Sequence, residues 1–133
     1  MGCRLRAWML VPALAAALPA LGAWEVIRGD DARRLAIDPA SIERRGKAVA
    51  FRYLVDFRNI QGDYKTAAYR SLVVKAAIRC APRTIALGGS EAYTGSEAQG
   101  VLVGVAEPTD AEARFQKIEP GTSDEDLWKR VCK

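Results

Sequence analysis

Pro120-Gly-Thr-Ser-Asp-Glu-Asp-Leu-Trp-Lys-Arg-Val-Cys132, read together with Cys80, decides how this chain folds. The Pro-Gly pair stops the preceding segment. Thr122 then offers a hydroxyl to cap a helix, and Glu125 follows at the spacing of a capping box. Asp124, Glu125 and Asp126 fall where a helix is electrically positive, and Lys129, Arg130 and Lys133 where it is negative. Glu125/Lys129 and Asp126/Arg130 are spaced as i,i+4 pairs with the acid N-terminal. Leu127, Trp128, Val131 and Cys132 form the one apolar stripe. A helix of about ten residues is marginal in water by itself, so the stripe must dock. Cys132 indicates where, because it can bond to Cys80 at the end of the longest strand-like run.

Two long strands carry the clearest pattern. From Val49 to Phe57 the odd positions are Val, Phe, Tyr, Val and Phe, while Arg52 and Asp56 lie between them. From Arg70 to Cys80, one face takes Leu72, Val74, Ala76, Ile78 and Cys80, and the other takes Ser71, Lys75 and Arg79. Such alternation predicts an antiparallel sheet with one buried face. Cys80 shares the aliphatic face, the side that must receive the helix. A Cys80–Cys132 bond would stabilise the fold by about 4 kcal/mol in the chain-entropy model; two free thiols are the alternative.

Shorter elements flank this pair. Trp24–Arg28 and Arg33–Ile37 read as strands around a Gly29-Asp30-Asp31 turn. Asp38–Ile42 reads as a turn capped by Asp38, with Ile42 tucked inward, and Arg44–Lys47 as a turn with Gly46 at positive φ. Asn59 to Thr66 is a polar loop joining the long strands. Arg83 to Leu87 begins a fifth strand that Tyr93 continues, with a bulge or bend at Gly88-Gly89. Val101, Val103 and Val105 make a sixth after the Gly95–Gly100 turn. Pro108–Glu112 reads as an exposed loop and Phe115–Ile118 as a connecting piece. The fold class is mainly β (α+β): about six antiparallel strands with one C-terminal helix docked on one face by a disulfide.

Residues 1–23 stand apart. Arg4 and Arg6, an apolar run from Trp8 to Leu18, and small residues at Ala20, Gly22 and Ala23 are the pattern of a secretory signal peptide, cleaved after residue 22 or 23. About a dozen apolar residues, interrupted by proline, are too few for a membrane span, and no span is expected in the mature chain. That chain, 24–133, is expected to be a single domain. Removing Arg4 and Arg6 from the 20 basic residues leaves eighteen against 16 acidic ones, a net charge of +2. So small a charge on an exported protein argues against a nucleic-acid partner. Cys3 leaves with the signal, which leaves an even pair of cysteines in an oxidising compartment. With no cysteine at the cleavage point, no lipid anchor is expected there, and periplasm and cell surface both stay open.

The chemistry-bearing residues are few. The sequence contains no histidine, which removes the usual general base and most zinc sites. Paired cysteines leave no thiolate nucleophile, and the acids fall in turns or a helix first turn. No catalytic residue, metal or cofactor is expected. Arg33, Arg34, Arg44, Arg45 and Lys47 lie on turns and are the candidate basic patch for sulfated polysaccharide or an acidic protein face; solvated turn charges are the alternative.

One resemblance joins these features. Ala36-Ile-Asp-Pro-Ala-Ser-Ile42, Leu54-Val-Asp-Phe57 followed by Gln61 and Tyr69-Arg-Ser71, Cys80 with Arg83, and Pro120-Gly-Thr through Leu127-Trp128 to Cys132 together resemble the surface-adhesin protein E family. The resemblance spans nearly all of the mature chain. It implies a six-stranded antiparallel sheet with the helix held to its concave side by the disulfide. It also implies adhesion to extracellular-matrix or serum proteins such as laminin, vitronectin and plasminogen. Two readings therefore stand: an exported binding module, and a periplasmic structural or stress-related protein with no host ligand. The oligomeric state is not legible in the sequence.

Overall fold

The computed structural model describes residues 24–62 and 67–133. The expected signal peptide and the 63–66 part of the loop between the long strands lie outside the described residues. In chain order the elements are β1 (Glu25–Gly29), β2 (Arg33–Ile37), a 3-10 turn (Pro39–Ser41) and β3 (Glu43–Arg45). The long pair β4 (Ala48–Gln61) and β5 (Tyr69–Arg79) follows, then β6 (Thr84–Tyr93) and β7 (Leu102–Ala106). The chain closes with α1 (Asp110–Ala113), β8 (Gln116–Lys117) and α2 (Ser123–Val131). All the pairings are antiparallel, in the order β1-β2-β4-β5-β6-β7. β3 adds to β4 beyond the end of β2, and β8 adds to β6. The six-stranded sheet is present, extended by these two short strands.

Local chemistry sets the turns. The Asp38 carboxylate accepts from the Ala40 N–H at 3.1 Å, capping the 3-10 turn with Pro39 at its start. Gly46 takes φ 61° between β3 and β4, the left-handed conformation that glycine adopts without a Cβ penalty. Val74 pairs with Ser90 and Ala76 with Leu87, so Lys75 on β5 faces two residues, Gly88 and Gly89. This is the expected bulge, and a Cβ on Gly88 would lie 3.1 Å from that of Lys75.

α2 forms as its sequence dictates. The Thr122 hydroxyl accepts from the Glu125 N–H at 3.4 Å, and the Glu125 carboxylate reaches back to the Gly121 N–H rather than to that of Thr122. Leu127 and Val131 are buried against Leu35, Ile37, Phe51, Ile78 and Ile85, with Trp128 partly buried beside them. Cys80 and Cys132 are bonded, with Cα atoms 5.6 Å apart, and the Trp128 indole N–H donates to the Cys80 carbonyl at 3.2 Å. The helix is thus fastened to the end of β5 by a covalent bond and a hydrogen bond.

Four expectations need correction. The sheet buries part of its second face as well, where Ala36, Leu54 and Val73 pack with Trp24, Tyr93 and Ala98. On that face Ser71, expected in solvent, is fully buried: its hydroxyl donates to the Gly95 carbonyl at 2.6 Å and accepts from the Ala98 N–H at 3.0 Å. Asp110–Ala113 is a short helix and not a loop, since Thr109 and Glu112 form a reciprocal capping box. Finally, Asp126 and Arg130 do not pair with each other. Asp126 accepts from Arg28 at 3.1 Å and Arg130 is paired with Glu25, so both charges are spent tying α2 to β1.

Candidate functional site

Three surfaces combine concavity with charge. The first lies where the N-terminal turn of α2 overhangs β1, β2 and β4. It is a cleft of about 490 Å³ whose floor is Leu35, Tyr53, Val55 and Leu127 and whose rim includes Arg28, Arg33, Asp30 and Asp124. It exists because Gly121, at φ 76°, ends the turn before the helix, so α2 starts over the sheet. Burial, together with the negative charges of Asp124 and Glu112, pushes the Tyr53 phenol well above its usual value. The phenol therefore stays neutral in the cleft. Desolvation alone raises the Asp124 carboxyl, whereas the Arg33 and Ala32 N–H groups hold Asp30 low.

The second surface is on the opposite face of the sheet, which no helix among the described residues covers between β3 and β6. Ala50, Ala77 and Ala86 stand in register across β4, β5 and β6. They floor an open groove of about 510 Å³ walled by Glu43, Arg45, Arg52 and Lys75. Two of those cations are already engaged, Arg52 with Asp38 at 2.6 Å and Arg45 with Glu43 at 3.0 Å.

The third holds part of the expected basic patch. Arg33 and Arg34 lie beside Phe57 and Asp56, whereas Arg44 and Arg45 lie beside Val49 and Ala48. Nine positions of β4 separate Ala48 from Phe57, and at about 3.3 Å per residue that is roughly 30 Å. The five basic residues are therefore two separate groups at opposite ends of β4, with Lys47 in the turn beside the second. The topology instead gathers Arg58 and Arg70 with Arg33 and Arg34 around a shallow hollow. This group spans three strands, and no single window of sequence contains it. Asp56 is buried there. One of its oxygens accepts from Arg34 at 2.7 Å and Ser96 at 2.6 Å, and the other has no partner among the described residues.

Among the described residues no group of three or more His, Cys, Asp or Glu is placed to hold a metal ion. No helix among them is long and apolar enough to cross a membrane.

Comparison with known proteins places this architecture. The family model described as Surface-adhesin protein E matches residues 24–133. Crystal form II of Haemophilus influenzae protein E superposes with a TM-score of 0.59 at 19% identity, covering 74% of this chain and 79% of that one. A second structure of Haemophilus influenzae protein E gives 0.58 at 15% identity, over 84% of this chain and 92% of that one. At such identities the likeness establishes the fold. Among curated proteins, none matches the chain.

Proposed function

The chain belongs to the surface-adhesin protein E family, and from that membership we propose that it is an exported binding module that contacts matrix or serum proteins such as laminin, vitronectin or plasminogen. The observation that carries the reading is the sheet face left without a covering helix, which exposes a groove edged by Arg45, Arg52 and Lys75. Alanine side chains in register make that floor shallow, so an extended partner can approach the strands while Lys75, which forms no ion pair among the described residues, reaches its acidic groups. Attraction of this kind is mostly electrostatic and weakens as salt rises.

The test is surface plasmon resonance of the oxidised protein over immobilised laminin, vitronectin and heparin, with Lys75→Glu as the variant. Binding that falls with salt and with the charge reversal supports the reading. Fractionation and protease shaving of intact cells complete it. A protein confined to the periplasm that binds none of these surfaces is instead the structural or stress-related protein of the alternative.

A further inference from the structure

The cleft under α2 differs from the open groove in how its charges are balanced. The first turn of α2 carries three acids, and two are matched by cations. Glu125 lies 3.4 Å from Lys129 and 3.9 Å from Arg83, and Asp126 lies 3.1 Å from Arg28. Asp124 forms no ion pair among the described residues although it faces the cleft. On the strand wall Arg28 is matched by Asp126. Arg33 forms no ion pair among the described residues. Asp30, on the same rim, accepts from the Ala32 N–H at 2.8 Å and the Arg33 N–H at 2.9 Å, and its carboxylate also lies within the field of the Arg33 and Arg28 charges. What remains without an ion pair is one carboxylate on the helix wall and one guanidinium, beside Asp30, on the strand wall, with the accessible parts of Tyr53 and Val55 between them.

We propose that this cleft binds a short zwitterionic peptide, with the ligand carboxylate on Arg33, its ammonium on Asp124 and an apolar side chain on Tyr53 and Val55. A volume of about 490 Å³ is within the roughly 300–1,000 Å³ of small-ligand sites. A tripeptide is long enough to hold its two charged ends up to about 10 Å apart. The helix terminus is not the anion anchor, because its first turn already holds Asp124, Glu125 and Asp126, which repel a second negative group. A ligand ammonium suits that wall, because its charge would offset by attraction the desolvation that raises the Asp124 carboxyl. The proposal rests on the reading of the chain as a binding module, but not on adhesion through the opposite face, so either can fail without the other.

Calorimetric titration of the oxidised protein, obtained from the full chain, with Ala-Leu-Ala tests it. N-acetyl-Ala-Leu-Ala removes the ammonium, Ala-Leu-Ala amide removes the carboxylate, and triglycine removes the apolar side chain. Ala-Leu-Ala should bind, and each end-blocked form should bind about tenfold to a hundredfold more weakly, as expected for loss of a charge-assisted contact. Asp124→Asn should abolish the preference for the free amine while keeping the preference for the free carboxylate, and Arg33→Ala should do the reverse. Because the readout is discrimination between ligands, a small change in stability cannot imitate it. Absence of Ala-Leu-Ala binding at millimolar concentration would overturn the proposal. So would equal binding of all the peptides, or variants that weaken each peptide alike.

Discussion

Ser71 holds the Gly95–Gly100 turn with both functions of its hydroxyl, donating to one backbone group and accepting from another. Ser71→Ala leaves a partly buried carbonyl and a partly buried N–H without this partner, and should cost about 1–3 kcal/mol, read from urea unfolding. Leu127 is fully buried and Trp128 only partly so. Leu127→Ala should therefore cost about 2–5 kcal/mol and lower Tm more than Trp128→Ala. Trp128 still loses its bond to Cys80 and the Arg83 guanidinium stacked 3.8 Å from its ring centre when truncated. The exposed Lys129→Ala should stay within about 0.5 kcal/mol of wild type. Asp124 sets a pH dependence. Its carboxyl is raised in the folded state by desolvation, so below its unfolded pKa it costs nothing. The ionised form becomes a penalty as pH rises through the folded value. Asp124→Asn should therefore gain stability over wild type at neutral pH and lose that advantage in acid, checked by paired melts at pH 3 and pH 7.

At the scale of elements, α2 is the part that cannot stand alone. Nine residues are too few for a stable isolated helix, and what fixes it is Leu127 and Val131 in the core, two ion pairs to β1 and the bond to Cys80. The bond joins residues 52 apart, and removing such a constraint from the unfolded chain should cost about 4 kcal/mol in the chain-entropy model. Cys132→Ser should lower the urea midpoint accordingly and reduce helical circular dichroism; an unchanged midpoint would mean that packing alone holds the helix. The turn between β6 and β7 is likewise held by contacts from distant strands. Glu97 and Ala98 sit at φ 57° and 60°, conformations that cost side-chain-bearing residues about 1–3 kcal/mol each. They persist because Ser71, Asp56 and Arg34 hold the turn and Ala98 packs on the second core.

For the whole molecule, charge placement decides how a partner is met. With Arg33 and Arg34 at one end of β4 and Arg44, Arg45 and Lys47 at the other, reversal at either end should remove only part of the retention on heparin. Arg44→Glu/Arg45→Glu should shorten elution while leaving Tm near that of wild type, because both side chains are exposed. Arg34→Glu should also lower Tm, since it leaves the buried Asp56 carboxylate beside a second negative charge. Equal retention of wild type and both variants would show that neither group meets the polyanion.

Residues i and i+2 of the long strands predicted an antiparallel sheet and the face that takes the helix, the glycine pair predicted the bulge or bend at Gly88-Gly89, and the two cysteines left after the signal predicted the Cys80–Cys132 bond. These follow from local periodicity, from turn chemistry and from an even cysteine count, all of which act over short stretches of chain. The cap at Thr122 and the turn at Gly46 were legible for the same reason. Only the tertiary structure decided that the second face is also partly buried, because Leu54 and Val73 become core only when Trp24 and Ala98 arrive from distant sequence. It also decided the partners of Asp126 and Arg130, where strand charges outcompeted the i,i+4 spacing. It split the basic residues between two ends and formed the cleft of Tyr53, Arg33 and Asp124. Charge contacts and concavities depend on which strand lies beside which, and that register is fixed by the packing of the whole sheet and not by any stretch within it.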